Sequence, residues 1–278
     1  LAIMSLDADH LDIYKNVNEM HASYEALTYR VNNGGSIFLA CDVQAYFSED
    51  WRLEMASREI DVVELGVGFS YDNIQIEAGR FHFDYSDEEG SQQMISGLVG
   101  EHNIMNATIA LRIAKEMDAQ TECLKDGLEK FKGIKRRFEL LYEEGIVLYD
   151  DYAHHPSELQ FAIATIKALY PNKKVLGIFQ PHLYSRTQDF YQGFAEVLNA
   201  LDEIWLLPIY PARELPIDGV QTEMIFNLIR NDNKYILKEE AWLDAIWKKD
   251  DLEVIITLGA SDIDKYHERL IEVLKDKN

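Results

Sequence analysis

The second half of the sequence alternates between short β-rich runs and helical stretches, and this alternation limits its fold more than any other feature. The β-rich runs lie at 146–149, 175–179, 204–209, 235–237 and 254–258, and the helical stretches lie at 157–169, 189–201, 222–229, 241–247 and 264–274. Strands that alternate with helices form βαβ units, in which helices cover both faces of a parallel sheet. We therefore expect a doubly wound α/β domain over residues 135–278.

The first half, residues 1–134, mixes strand-like and helical patterns and is also expected to be folded. Polar and apolar residues alternate over 73–77 and 80–85, which predicts two antiparallel strands joined by a short turn. After Gly100 the apolar residues recur at helical spacing, at Ile104, Ala107, Thr108, Leu111 and Ala114, and a second helical stretch covers 122–131.

The charge balance excludes several classes of protein. Acidic residues number 49 and basic residues 27, which gives a formal net charge of -22. A chain of that sign offers no basic surface to nucleic-acid phosphates, so we expect no nucleic-acid partner. No apolar run approaches the ~20 residues of a membrane helix, and Cys41 and Cys123 show no disulfide or zinc spacing. A soluble cytoplasmic protein fits these features best.

Polar side chains follow the first predicted strand of the second half, at the sheet edge where ligands of such folds bind. The sequence DDYAHHP at 150–156 offers Asp151, His154 and His155, and such groups bind ribose, magnesium or phosphate. The alternative is that an Asp and a His cap the next helix while Pro156 occupies its first turn.

The next predicted strand leads into QPHLYSRT at 180–187, where His182 and Arg186 suit a carboxylate or a phosphate. An ion pair between Arg186 and Asp189 is the alternative. Weaker signals follow the third and the last strand, at YPARE (210–214) and LGASDI (258–263).

Three further groups of polar residues lie in the first half or at the boundary. DADHLD at 7–12 surrounds His10 with carboxylates, which suits a Mg²⁺ site or a solvated acidic helix start. The sequence GEHNIMN at 100–106 begins a helix and contains two asparagines. An asparagine carboxamide can form hydrogen bonds with the edge of adenine. The alternative role, capping of the helix N-terminus, explains at most one of the two. KRRFE at 135–139 brings arginines to the boundary, where one can reach a nucleotide phosphate or form an ion pair between domains.

Taken together and in order, these groups resemble the Mur ligases of peptidoglycan synthesis, from residue 7 to about 263. The groups are DADHLDIY, GEHNIMNA, RRFE, DDYAHHP, FQPHLYSRT, YPARE and LGASDI. The HHP and QPH-x-Y-S-R groups look most like the branch that adds L-alanine. The resemblance implies a Rossmann-like C-terminal ligase domain over 135–278 and the later part of the family's central α/β ATPase domain over 1–134. It also implies a bacterial enzyme that uses ATP and Mg²⁺ to join L-alanine to UDP-N-acetylmuramate through an acyl phosphate.

The resemblance also assigns roles to single residues. His10 matches a histidine near Mg²⁺, and His102, Asn103 and Asn106 match residues that hold adenine. Arg137 matches an arginine at the nucleotide phosphates, and Asp151 an aspartate at the ribose. His154, His182 and Arg186 match residues at the reacting centre, where Arg186 would hold a carboxylate, while Tyr152 and His155 would shape that pocket.

The sequence departs from the family pattern at several points. Leu183 stands where the family usually has Arg, and Ser261 stands where it usually has Gly. No G-x-x-x-x-G-K-[ST] loop occurs in the 278 residues, so we expect this chain alone to be inactive. A central sheet cut short would expose apolar edges, and self-association of the chain is a further expectation.

Two alternative functions stay open at this point. One is a muropeptide-recycling ligase that attaches a tripeptide to the same sugar nucleotide. The other is a non-catalytic nucleotide-binding module, which the missing phosphate-binding loop favours if the chain is complete.

Overall fold

A computed structural model of the chain describes residues 1–7, 13–77, 80–238 and 241–277. The chain divides into two compact units, Leu1–Lys132 and Gly133–Asn278. Within the described ranges, no helix combines the length and the apolar character needed to cross a bilayer.

The described part of the first unit contains two three-stranded sheets. The parallel sheet has the order β1 (Ala2–Ile3), β2 (Ser36–Leu39), β3 (Asp61–Glu64), and the antiparallel sheet has the order β4 (Ser70–Glu77), β5 (Arg80–Asp87), β6 (Gly90–Ser96). The helices of this unit are α1 (Val17–Thr28), α2 (Glu49–Ser57), α3 (Glu101–Glu116) and α4 (Thr121–Lys130).

The structure confirms the two predicted antiparallel strands of the first half. β4 and β5 pair with Ile76 opposite Phe81. The predicted apolar face of α3 is also confirmed, because Ile104 and Thr108 are fully buried. The third strand, β6, was not predicted, since its sequence GSQQMIS is mostly polar and buries little more than Met94 and Ser96.

The second unit is built on a six-stranded sheet with the order β11-β10-β9-β12-β8-β7. Its strands are β7 (Glu139–Glu144), β8 (Ile146–Asp151), β9 (Val175–Phe179), β10 (Glu203–Leu206), β11 (Lys234–Ile236) and β12 (Val254–Leu258). Its helices are α5 (Pro156–Leu169), α6 (Tyr184–Leu198), α7 (Glu223–Phe226), α8 (Ala241–Lys248) and α9 (His267–Lys277). The edge strand β7 runs antiparallel to β8 and the other neighbours pair in parallel, so the doubly wound α/β prediction is confirmed.

The apolar runs of the central strands are explained by helices on both sides of the sheet. Every residue of β8, β9 and β12 is buried, as expected for parallel strands covered on both faces. On one face, Ile178 and Ile255 pack with Trp242 of α8 and Leu270 of α9. Phe179, the next residue of β9, points to the other face and packs against Phe194 of α6 with 5.2 Å between ring centroids.

Some predicted bounds in the second unit are wrong. The strand predicted over 204–209 ends at Leu206, because Pro208 has no N–H to continue the ladder. The helix predicted over 189–201 already begins at Tyr184, and the helix predicted over 222–229 is only the short α7. Lys234 Nζ donates to the carbonyls of Phe226 and Ile229 at 2.9 and 2.5 Å, which satisfies the backbone where that helix stops.

Candidate functional site

The strand order of the second unit brings three loops to one edge of its sheet. β12 lies between β8 and β9, and Leu258 at its carboxyl end pairs with both Asp151 and Phe179. The loops that follow these three strands therefore start side by side. The strand order reverses at this point, and ligands of doubly wound sheets bind at such a reversal.

Arg136 connects the end of β8 to the loop after β12. Its Nη2 donates to the carbonyl of Gly259 at 2.7 Å, and its Nη1 donates to the carbonyl of Ser261 at 2.9 Å. Its Nε donates to Oδ2 of the fully buried Asp150 at 3.0 Å. The planar guanidinium thus holds the end of β8 against the loop after β12.

The other carboxylate oxygen of Asp150 also has partners. Thr257 Oγ1 donates to Oδ1 at 2.6 Å, and Nε2 of His267 lies 3.3 Å from the same atom. Burial raises the pKa of Asp150, but hydrogen bonds and charges from His267, Thr257 and Arg136 outweigh burial and leave this pKa below its usual value. Asp150 is therefore an ionised group that supports the structure.

Asp151 is the residue predicted at the ribose, and each of its carboxylate oxygens accepts a hydrogen bond from a backbone N–H. The N–H of Phe138 donates to its Oδ2 and the N–H of Ala153 to its Oδ1, each at 2.7 Å. Burial raises the pKa of Asp151 to about 6, although both N–H groups favour the charged form. A carboxylate oxygen can accept more than one hydrogen bond, so these two backbone bonds leave room for a ribose hydroxyl. The ribose contact stays a prediction.

Tyr152 is flanked by both arginines of the RRFE group. The guanidinium carbon lies 4.9 Å from the ring centroid in Arg136 and 5.5 Å in Arg137, within the range of cation–π contacts. The ring of His154 has its centroid 5.5 Å from that of Tyr152 and 6.2 Å from that of His182. The structure thus brings together three side chains that the sequence predicted around one ligand.

His155 forms the N-cap of α5. Its Nδ1 accepts from the N–H of Ser157 at 3.4 Å and lies 2.7 Å from the Ser157 hydroxyl. The carboxylate of Glu158 accepts from the N–H of His155 at 3.2 Å, and Pro156 occupies the first turn. The capping alternative is confirmed for the histidine, while a ligand contact of His155 stays a prediction.

His182 follows β9, and Arg186 lies one turn later in α6, where it is 9% exposed. Burial first of all, together with the positive charges of Arg186 and His154, lowers the pKa of His182 to about 4. At neutral pH the imidazole is therefore uncharged beside a buried guanidinium. A cation in such a position attracts a carboxylate or a phosphate.

The loop after β10 sets the start of α6. The carboxylate of Glu214 accepts from the N–H and the hydroxyl of Ser185, at 3.0 and 2.5 Å. Leu183 at the N-cap is buried, has a φ of +69° and donates its N–H to the carbonyl of Tyr210 at 2.9 Å. The YPARE sequence therefore supports the helix that carries Arg186.

The predicted adenine-binding residues lie at the start of α3 in the first unit. Gly100 is the N-cap and makes no side-chain cap, and Nδ2 of Asn103 donates to the carbonyl of Val99 at 2.8 Å. Asn106 is exposed, and His102 precedes it by one turn on the same side of the helix. Neither asparagine caps the helix. Recognition of adenine by the exposed carboxamide of Asn106 stays a prediction.

The predicted metal ligand, His10, lies outside the described residues. Over the ranges that are described, no three His, Cys, Asp or Glu side chains form a group that could hold a metal ion. Mg²⁺ coordination by His10 therefore stays a prediction.

The sequence analysis missed the residues that support this site. Arg136 stands beside Arg137 in the same motif, so adjacency alone could not tell which of the two is fixed in the fold. Thr257 and His267 carried no signal, because their partner Asp150 is 107 residues away from Thr257 along the chain. Glu214 stands in the YPARE group, whose sequence signal is weak.

Comparisons with known proteins cover both units. Residues 2–114 match the family described as "Mur ligase middle domain", and residues 136–261 match the family described as "Mur ligase, glutamate ligase domain". The chain is 38% identical over 275 residues to a UDP-N-acetylmuramate--L-alanine ligase from Christiangramia forsetii, with 98% of this chain and 58% of that protein covered. A protein of the same name from Porphyromonas gingivalis is 40% identical over 267 residues, with 95% and 58% covered.

A solved structure has a similar fold. The crystal structure of a UDP-N-acetylmuramate-alanine ligase from Thermotoga maritima matches with a TM-score of 0.74 at 20% identity, over 100% of this chain and 60% of that one. The chain thus spans about 58% of the length of the two curated relatives.

Proposed function

Because the chain belongs to the Mur ligase family, we propose that the complete gene product containing it joins L-alanine to UDP-N-acetylmuramate with ATP as the energy source. The observation that carries the proposal is the identity of 38% and 40%, over at least 95% of the chain, to proteins named for that reaction. The activity is proposed for the whole protein, since the chain covers 58% of these relatives.

The proposed reaction has two steps. The muramyl carboxylate attacks the γ-phosphorus of ATP, an O–P bond forms, and ADP leaves. The amine of L-alanine then attacks the acyl carbon, a C–N bond forms, the C–O bond to phosphate breaks, and the amine loses a proton. Positioning and neutralisation of negative charge dominate the catalysis of such transfers.

The edge of the sheet in the second unit suits the amino-acid half of this reaction. Arg186 supplies a buried positive charge for the carboxylate of L-alanine. His182, uncharged at neutral pH, can accept a hydrogen bond from the amine, and His154 lies beside it with 6.2 Å between ring centroids. Tyr152 and His155 would form the wall of this pocket.

Each unit carries residues that are proposed to contact the nucleotide. Asn106, with His102 and Asn103, would hold adenine, while Arg137 would approach the phosphates and Asp151 the ribose. Mg²⁺, when bound, neutralises charge on the transferred phosphoryl group, and His10 is its proposed ligand. The 278 residues contain no Gly-Lys-[Ser/Thr] loop to cradle the phosphates, so this chain alone is proposed to be inactive.

The decisive assay measures phosphate release by the complete gene product with ATP, Mg²⁺ and UDP-N-acetylmuramate. Release that depends on L-alanine supports the proposal. Release only with L-Ala-γ-D-Glu-diamino-acid tripeptide would identify a recycling ligase instead, and no release with either would favour a nucleotide-binding module. The 278-residue chain, run in parallel, is expected to release none.

Two variants connect the assay to the site. Arg186→Gln should raise KM for L-alanine at least about tenfold, because the carboxylate loses a charged hydrogen-bond partner. Arg230→Gln is the matched control, since Arg230 is an exposed arginine of the same unit and lies outside the predicted site. An equal KM for L-alanine in both variants would contradict the role of Arg186.

A further inference from the structure

Three buried polar atoms on the loops after β9 and β12 lack a hydrogen-bond partner among the described residues. They are Oε1 of Gln180, Nδ1 of His182 and Oγ of Ser261. A buried polar atom without a partner destabilises the folded protein. Such atoms on two adjacent loops at a ligand-binding edge therefore indicate groups that pair with a ligand.

Ser261 is held firmly, but its hydroxyl is not used within the described part of the fold. The residue is 5% exposed, and Arg136 binds its carbonyl at 2.9 Å and the carbonyl of Gly259 at 2.7 Å. The backbone acceptors of this turn are therefore occupied, whereas the Ser261 Oγ remains available. A buried hydroxyl on so fixed a backbone normally bonds to another group of the protein.

Gly259 lets the two loops approach each other. A Cβ placed on Gly259 would lie 2.4 Å from the carbonyl oxygen of Gln180 and 3.3 Å from Oγ of Ser261. Gln180 and Ser261 thus lie on either side of one glycine. Only a residue without a side chain permits this contact, since Gly259 also has a φ of +133°.

The available atoms are acceptors. Nε2 of Gln180 donates to Oδ1 of Asp262 at 3.4 Å, which orients the amide so that Oε1 is its unused end. A neutral His182 keeps a lone pair on one ring nitrogen, and a serine oxygen accepts as well as donates. Arg186 supplies positive charge near His182. Acceptors beside a cation match the two ends of an α-amino acid, whose amine donates and whose carboxylate accepts.

We propose that Oγ of Ser261, together with Oε1 of Gln180, accepts hydrogen bonds from the amino group of the incoming amino acid. This inference rests on the proposed ligase function and deepens it. It makes Ser261 a substrate-contact residue, and it assigns recognition of a primary amine to the loops after β9 and β12. Arg136 acts through the loop after β12 as a positioning residue.

The test is Ser261→Ala in the complete gene product. KM for L-alanine should rise about tenfold, because one hydrogen bond to a charged group is lost, while KM for ATP stays unchanged. The Tm should stay the same or rise, since the substitution removes a buried hydroxyl that bonds to none of the described residues. Thr257→Val is the matched control, because that hydroxyl donates to Asp150 at 2.6 Å and its loss should lower the Tm.

Propionate identifies the group that Ser261 contacts, because it keeps a carboxylate and has no amine. Its inhibition constant against L-alanine should be the same in wild type and in Ser261→Ala. An unchanged KM for L-alanine in the variant would overturn the inference while the ligase function stands. A parallel rise in the propionate constant would also overturn it, by placing the carboxylate at Ser261. A wild type without L-alanine-dependent phosphate release would overturn both proposals.

Discussion

Arg136 and Asp150 form an ion pair, with Nε 3.0 Å from Oδ2, and the carboxylate of this pair is fully buried. The remaining nitrogens of Arg136 bind the carbonyls of Gly259 and Ser261. One side chain thus connects the start of the second unit to β8 and to the loop after β12. The shape of the predicted ligand edge depends on this pair.

Arg136→Gln should lower the free energy of unfolding of the second unit by about 3–5 kcal/mol, because it leaves the Asp150 carboxylate buried without its cation. Urea unfolding of the 278-residue chain measures the loss. Arg80→Gln is the matched control: Arg80 pairs with Glu129 at 2.6 Å, but both side chains are largely exposed, so the loss should stay below about 1 kcal/mol. Similar losses in the two variants would contradict the structural role of Arg136.

Gly259→Ala should destabilise the protein by about 3 kcal/mol, because the new Cβ meets the Gln180 carbonyl and the backbone has a positive φ. Gly127→Ala should have the opposite effect. Gly127 lies inside α4, where a Cβ would have no described atom beyond its own helix backbone and chain neighbours within 4 Å, and alanine stabilises a helix by about 0.5–1 kcal/mol relative to glycine. The two changes in urea midpoint must differ in sign.

A structural feature can be predicted from the sequence when the residues that determine it lie close together along the chain. The central strands and the face of α3 follow from hydrophobic periodicity, and the capping role of His155 follows from the residues next to it. The early start of α6 could not be predicted, because Glu214 fixes Ser185 from 29 residues away. In the same way, the partners of Asp150 come together only when β12 pairs with β8.

The pKa of His182 gives a direct test of the charge around the site. NMR titration of the histidine ring protons should show His182 uncharged down to a pH near its pKa of about 4. Arg186→Gln should raise this pKa, because one of the positive charges that lowers it is removed. An unchanged pKa in the variant would show that Arg186 does not act on the His182 ring.

The same shift links His182 to stability. Between pH 4 and 6.5 the unfolded chain binds a proton at this histidine and the folded chain does not, so its contribution to stability is lost as the pH falls through this range. The stability advantage of wild type over His182→Gln should therefore grow with rising pH, by at most about 1.4 kcal/mol per pH unit. Urea unfolding of both proteins at several pH values measures the difference, and a difference that is flat with pH would contradict the lowered pKa.

Asn103 and Asn106 separate structural support from base recognition within one helix. Asn106→Ala should raise KM for ATP in the complete gene product about tenfold, because an exposed carboxamide that would read adenine is lost, and its Tm should not change. Asn103→Ala is the matched comparison. It removes the hydrogen bond to the Val99 carbonyl at 2.8 Å, so this variant, unlike Asn106→Ala, should lower the Tm. If Asn106→Ala lowers the Tm and leaves KM for ATP unchanged, the proposed role of Asn106 at the adenine edge is wrong.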